Sequence, residues 1–208
     1  MNRIFSKMTS RRELLQLALV SPFAAALNSV IEGVKLTRRW RGRICESQLT
    51  NHTTEPKRIP EVVLLDLQLP VPLSTHLYGE GFQMLSQTGG TLGQPADLGN
   101  YTDAKHYRLP VPDSARVLYG MMMLSPSPRE HRLLAFTSCR RFAGQFYVNG
   151  QSLKVVVDTE GRELRPGETW QLESFMDDSG PDREQLLEKL ATQLVANHPP
   201  LRFSKPPT

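Results

Sequence analysis

From Leu36 to Thr50 apolar and polar residues alternate, Leu36, Arg38 and Trp40 against Thr37, Arg39 and Arg41, followed by Ile44 and Leu49. This is the two-residue period of a half-buried strand. Asn51-His52-Thr53-Thr54-Glu55-Pro56 reads as a turn. The run Arg58 to Leu69, with Val62, Val63, Leu64, Leu65 and Leu67, predicts a second strand dense enough for the middle of a sheet. The two are expected to form a hairpin. Further strands are predicted over Ala115 to Leu124, Arg132 to Ser138, Gly144 to Val148, Leu153 to Asp158 and Thr169 to Met176. Asn149-Gly150 is the strongest hairpin signal in the chain, and Thr159-Glu160-Gly161 and Arg165-Pro166-Gly167-Glu168 are further turns. Together these predict an antiparallel meander. Between Pro70 and Pro112 few periodic runs are sustained, and so long an irregular stretch in a compact domain is commonly a functional or interface loop.

The period changes once, near the end. Leu186, Leu187, Leu190, Ala191, Leu194 and Val195 recur at helical spacing behind Pro181, Asp182 and Glu184, and Asn197-His198-Pro199-Pro200 closes the run. Proline suits a first helical position and acids suit the first turn, so an amphipathic helix starting at Pro181 is predicted. The expected fold class is therefore all-β. It comprises an antiparallel β-sandwich over residues 34–178, one C-terminal α-helix over 181–198, and an extended proline-rich segment over 199–208.

The first residues follow a different logic. A basic opening with Arg3 and Lys7 precedes Ser10-Arg11-Arg12, an apolar stretch from Leu14 to Leu27, and the small residues Ala24-Ala25-Ala26. That order is the one a twin-arginine signal peptide takes, and it predicts a leader over residues 1–26 with periplasmic or extracellular export. The competing reading is an ordinary helix whose start is a capping box from Ser10 to Glu13. The apolar stretch is too short to span a bilayer, so no stable membrane anchor is expected.

Composition narrows the field further. A chain of 208 residues with 39% hydrophobic content can bury a full core. The net charge of +4 is spread along the chain, and Arg38, Arg39, Arg41 and Arg43 read as a solvated strand face, so no nucleic-acid partner is expected. Cys45 and Cys139 are too few for a disulfide scaffold or a zinc site. Both are expected as buried free thiols, with a disulfide between them left open. His52, His76, His106, His131 and His198 show no metal-ligand spacing, and the Gly79-Glu80-Gly81 and Gly89-Gly90 stretches lack the features of a phosphate loop. No metal and no cofactor are expected. Asn51-His52-Thr53 and Asn100-Tyr101-Thr102 match glycosylation sequons and are read as incidental. Met121-Met122-Met123 is read as core filling.

Four stretches read together carry a resemblance: Leu49-Thr50-Asn51-His52, Ile59-Pro60-Glu61-Val62-Val63-Leu64, Leu77-Tyr78-Gly79-Glu80-Gly81-Phe82-Gln83-Met84-Leu85 and Tyr101-Thr102-Asp103. They resemble the N-terminal supersandwich domain of glycoside hydrolase family 36, the α-galactosidase-like proteins. The resemblance implies a large β-sandwich and a linking helix ahead of a (β/α)8 barrel, into which Lys205-Pro206-Pro207-Thr208 would lead. It also implies retaining hydrolysis by two carboxylates. Both would sit in the barrel, one in a Lys-aromatic-Asp sequence, and no such sequence occurs in this chain. No catalytic residue is therefore assigned, and the chain is not expected to hydrolyse glycosides alone. A carbohydrate partner and a catalytic barrel outside this chain are the implied partners. A stand-alone exported carbohydrate-binding or envelope structural β-sandwich is the competing expectation.

The candidate substrate-binding residues are Tyr78, Glu80, Phe82 and Gln83, with Tyr101 and Asp103 as a second group beside His106 and Tyr107. Glycines 79 and 81 would allow close backbone approach, an exposed aromatic would stack on a sugar ring, and Glu80 and Gln83 would bond hydroxyls. The alternative is that Tyr78 and Phe82 anchor a loop onto the core, since burying an aromatic is strongly favourable. For Tyr101 and Asp103 the alternative is loop packing or a barrel interface.

Overall fold

The computed structural model describes residues 31–82, 87–96, 107, 109, 112 and 115–200. The expected leader and the expected exit beyond Pro200 lie outside these residues. Among the described residues the strands are β1 (Val34–Arg41), β2 (Ile44–Asn51), β3 (Lys57–Gln68), β4 (His76–Glu80), β5 (Gln87–Thr88), β6 (Arg116–Ser127), β7 (Glu130–Phe136), β8 (Ala143–Asn149), β9 (Ser152–Leu164), β10 (Thr169–Gln171) and β11 (Phe175–Gly180). One helix, α1, spans Arg183–Asn197. Among the described residues every strand pairing is antiparallel.

The sheet runs β1-β2-β11-β7-β6-β8-β9-β3, with β10 also on β2, β4 also on β6, and β5 on β4. Strand β6 is where it divides into two layers. Met121 to Leu124 pair with β7, whereas Arg116 to Tyr119 pair with β8 along the same edge. Gly120 stands between the two halves at φ +69°, a backbone conformation glycine adopts without strain. Inward residues from both layers then meet. Leu118, Met122 and Leu124 of β6 join Leu134, Phe136 and Phe175 from one side and Phe146, Val155 and Val157 from the other. The Phe136 ring lies 5.3 Å from Phe146 across the layers and 6.0 Å from Phe175. Burying each such side chain contributes roughly 1.5–3 kcal/mol, so this interior is the principal source of stability. At the opposite margin the Arg38 guanidinium donates to the Leu64 carbonyl at 2.5 Å, which ties β1 to β3.

The all-β antiparallel fold with one closing helix stands as the periodicity implied, with several corrections of detail. The alternation from Leu36 to Thr50 is two strands: Gly42, at φ +60°, turns the chain so that β1 pairs with β2. The Asn51–Pro56 turn therefore does not close a hairpin, because β3 pairs with β9. Strand β3 ends the sheet path and pairs with one strand, consistent with Pro60, which has no N–H to give a second neighbour. Asn149-Gly150 does make the expected hairpin between β8 and β9. At the expected turn 159–161, β9 continues, and left-handed Glu160 and Gly161 accommodate a register shift against β3. The run Thr169 to Met176 divides into β10 and β11. Within the segment expected to be irregular, β4 pairs along β6. The connections do not form a simple meander.

Helix α1 covers the outer face of β6, β7 and β11. Leu186 and Leu190 are buried with Met123, Leu133, Ala135 and Met176. Asp182, not Pro181, begins the helix: its carboxylate accepts from the Glu184 and Gln185 amides, so the proline stands one residue before the cap. Lys189 pairs with Asp178 of β11 at 2.8 Å, and the Asn197 side chain donates to the Thr137 carbonyl at 2.8 Å. Leu194 and Val195 stay exposed. Both cysteines are free. Cys45 is buried, and burial pushes its thiol up from its ordinary range, but Cys139 is exposed, contrary to the expectation of two buried thiols.

Candidate functional site

Because side chains alternate across a strand, β4 sends Tyr78 and Glu80 outward and Leu77 and Gly79 inward. Leu77 is buried in the core. Gly79 faces Leu118, whose side chain would lie 2.8 Å from a β-carbon there. The glycine therefore serves interior packing, which corrects the reading that it opens the backbone to a ligand. Tyr78 is 41% exposed and Phe82 is 52% exposed.

Tyr78 and Glu80 line an open groove of about 1170 Å³ between β4, β6 and the start of α1. Its floor includes Met121 and Met123, and its far wall is Arg183, Glu184 and Leu187. Alternation makes the three methionines differ: Met122 points into the core, Met123 sits beneath the helix, and Met121 is only half-buried. His131 of β7, buried, also lines the groove and holds a 2.8 Å hydrogen bond between its Nδ1 and the Ser125 hydroxyl of β6. An apolar floor with hydroxyl, carboxylate, imidazole and guanidinium groups at its rim suits a polyhydroxylated ligand with apolar ring faces.

Phe82 stands beyond the end of β4, on the other side of Glu80. Its ring centroid is 5.5 Å from Tyr119 and 5.5 Å from Tyr107. The structure thus brings Tyr78 and Glu80 together in the groove and sets Phe82 in an aromatic cluster beside it. Gln83, Tyr101 and Asp103 lie outside the described residues.

A further polar group missed by sequence reasoning continues from Tyr119 along the outer face of β8, β9 and β3. The Tyr147 hydroxyl lies 3.0 Å from Glu61 Oε2 and 3.0 Å from Gln145 Oε1, and the Gln145 amide reaches Asp158 at 3.5 Å. Burial, and then the Glu61 carboxylate, push the Tyr147 phenol well above its ordinary range. The available signal was the alternation of Gln145 and Tyr147 about the buried Phe146; their partners come from strands far away in sequence.

Sequon residue Asn51 is fully buried, its amide donating to the Glu55 and Leu164 carbonyls at 2.8 and 3.0 Å, so it is structural. Among the described residues, no three or more His, Cys, Asp and Glu side chains gather as a metal-binding group, and no helix is long and apolar enough to cross a membrane.

Neither a protein-family model nor a curated protein matches this chain. Among solved structures, matches include the family 36 α-galactosidase AgaB of Geobacillus stearothermophilus, with 11% identity and a TM-score of 0.46 over 72% of this chain and 22% of that one. The α-galactosidase of Lactobacillus brevis matches with 12% identity and a TM-score of 0.43 over 72% of this chain and 21% of that one. TtGalA, the Thermus thermophilus α-galactosidase solved with p-nitrophenyl α-D-galactopyranoside, matches with 15% identity and a TM-score of 0.42 over 71% of this chain and 29% of that one. The chain thus spans less than a third of the length of each.

Proposed function

We infer that this chain is the non-catalytic β-sandwich module of an exported α-galactosidase-like glycoside hydrolase and that it contacts an α-galactoside through the β4 groove. The observation that carries the reading is the outward, 41% exposed Tyr78 standing with Glu80 over a floor of Met121 and Met123. A phenol ring offers an apolar face for a sugar ring, and the neighbouring carboxylate accepts from sugar hydroxyls. The sequence resemblance of Leu77 to Leu85 supplies the substrate class. The Ser10-Arg11-Arg12 leader supports export, which a periplasm-dependent reporter fused behind Ala26 tests. Loss of reporter signal in an Arg11→Lys/Arg12→Lys variant is the expected result.

The binding test uses the full chain. Raffinose is titrated while ligand saturation transfer is followed, and the expected result is binding abolished or weakened at least tenfold by Tyr78→Ala. Binding unaffected by Tyr78→Ala, or none at all, would overturn the reading. A self-sufficient module is the second reading, favoured by the folding back of α1 onto β6, β7 and β11 through Leu186 and Leu190. The exposed Leu194 and Val195 favour the first, because an additional domain has apolar surface to cover there. The reading frame after the Thr208 codon separates them: a following Gly-Trp-x-Ser-Trp barrel entry supports the first, and an immediate stop supports the second.

A further inference from the structure

We propose that sugar binding in the β4 groove and docking of helix α1 are thermodynamically coupled, so that a bound α-galactoside clamps the helix to the sandwich. The proposal rests on the groove being a sugar site. One wall is β4, with Tyr78 and Glu80, and the other is the first turn of α1, with Arg183 and Glu184. A ligand touching both walls binds the docked arrangement and loses its contacts to α1 when the helix leaves. A ligand that prefers one of two states shifts the equilibrium toward it, and the effect is reciprocal.

The helix–sheet interface is incomplete at this end. Leu186 and Leu190 are 1% and 7% exposed, but Leu187 and Met121, which flank them, are only half-covered. Both also line the groove. Met123 belongs to both surfaces, buried under the helix and forming part of the groove floor. A sugar ring over Met121 and Leu187 would extend the same apolar contact that holds Leu186 in place. Docking is otherwise held by that cluster and the Lys189–Asp178 pair and, at the far end of the helix, by the Asn197–Thr137 hydrogen bond, the Arg140 guanidinium donating to Asn197 and the Cys139 amide donating to His198.

Hydrogen–deuterium exchange of the full chain, with and without raffinose, tests this. At a raffinose concentration ten times its Kd, amides of Leu186 to Asn197 are expected to exchange about tenfold more slowly, while strands far from the groove are unchanged. Tyr78→Ala should remove that protection. By reciprocity, Leu190→Ala should weaken raffinose binding several-fold although Leu190 does not line the groove. If that variant fails to fold, Lys189→Ala, which removes the pair with Asp178, gives the same comparison. Raffinose binding with unchanged helix exchange would overturn the coupling and leave the sugar site standing. No raffinose binding would remove the site and the coupling together.

Discussion

Asp177 of β11 accepts two hydrogen bonds from Arg132 of β7, at 2.8 Å from Nε and 2.7 Å from Nη2. The fork of the guanidinium matches the two carboxylate oxygens, and both side chains are largely buried, at 17% and 8% exposure. The next residue, Asp178, faces the helix side of the sheet, where it meets Lys189 and Arg43 at 2.8 and 3.5 Å. Adjacent carboxylates thus serve opposite faces of one strand.

Removing one partner of the Arg132–Asp177 pair leaves the other charge buried and uncompensated. Asp177→Ala is expected to cost about 3–5 kcal/mol in denaturant unfolding. Replacing both together, as Arg132→Met/Asp177→Leu, should cost much less, because neither charge then has to be desolvated. Equal losses in the single and double variants would contradict this account.

Glu173 is buried beneath the loop that follows β7. It accepts from the Ser138 hydroxyl and from the Arg141 and Phe142 amides, at 2.8 and 3.2 Å for the amides. Burial pushes its carboxyl up, but these donors outweigh burial and hold it below the ordinary carboxylate range. A group depressed in the folded state stabilises above its unfolded value, about 4.3, and that contribution disappears as pH falls through the lower folded value. Thermal unfolding of the full chain should therefore show an acid loss below about pH 4.3 that Glu173→Gln flattens. Parallel pH profiles for the two proteins would count against it.

For Tyr147 the sign is the opposite. With the phenol raised by burial and by Glu61, its stabilising contribution is complete below the ordinary tyrosine value of about 10 and is lost as pH rises beyond it. Absorbance titration at the phenolate band should show a late-ionising tyrosine that is absent from Tyr147→Phe. Glu61→Gln should bring that ionisation toward the ordinary range. An unchanged titration in Tyr147→Phe would assign the late group elsewhere.

Gly79 is expected to matter for packing rather than for ligand contact. A β-carbon there meets Leu118 at 2.8 Å, inside the fully buried interior. Gly79→Ala should destabilise the chain by about 1–3 kcal/mol, with pairing Leu118→Ala relieving the crowding while opening a cavity of its own. By contrast, a methyl at Gly42 meets nothing within 4 Å, and only its φ of +60° is costly. Its replacement by alanine should cost about 1–2 kcal/mol. Intact stability in Gly79→Ala together with lost raffinose binding would restore the ligand-contact reading.

The sequence alone determined the kind of elements and the sidedness of most of them. Alternation about Leu118 and Phe146 is a property of neighbours in the chain, and so is the helical spacing of Leu186 and Leu190; each fixes which residues must leave water. The run that holds Tyr78 and Glu80 was expected to be irregular, and the structure makes it a strand with both residues on one face, because its partner, β6, lies some distance along the chain. Tertiary structure decided the rest. The pairing of β3 with β9 and the division of β6 at Gly120 depend on contacts between distant residues, as does the meeting of Tyr147 with Glu61. Which strand edges meet is settled by the packing of the whole interior, and local periodicity carries no record of that choice. The same holds for the groove, whose two walls, β4 and the first turn of α1, are separated by nearly the whole sandwich and become neighbours only because Leu186 and Leu190 must be buried against β6, β7 and β11.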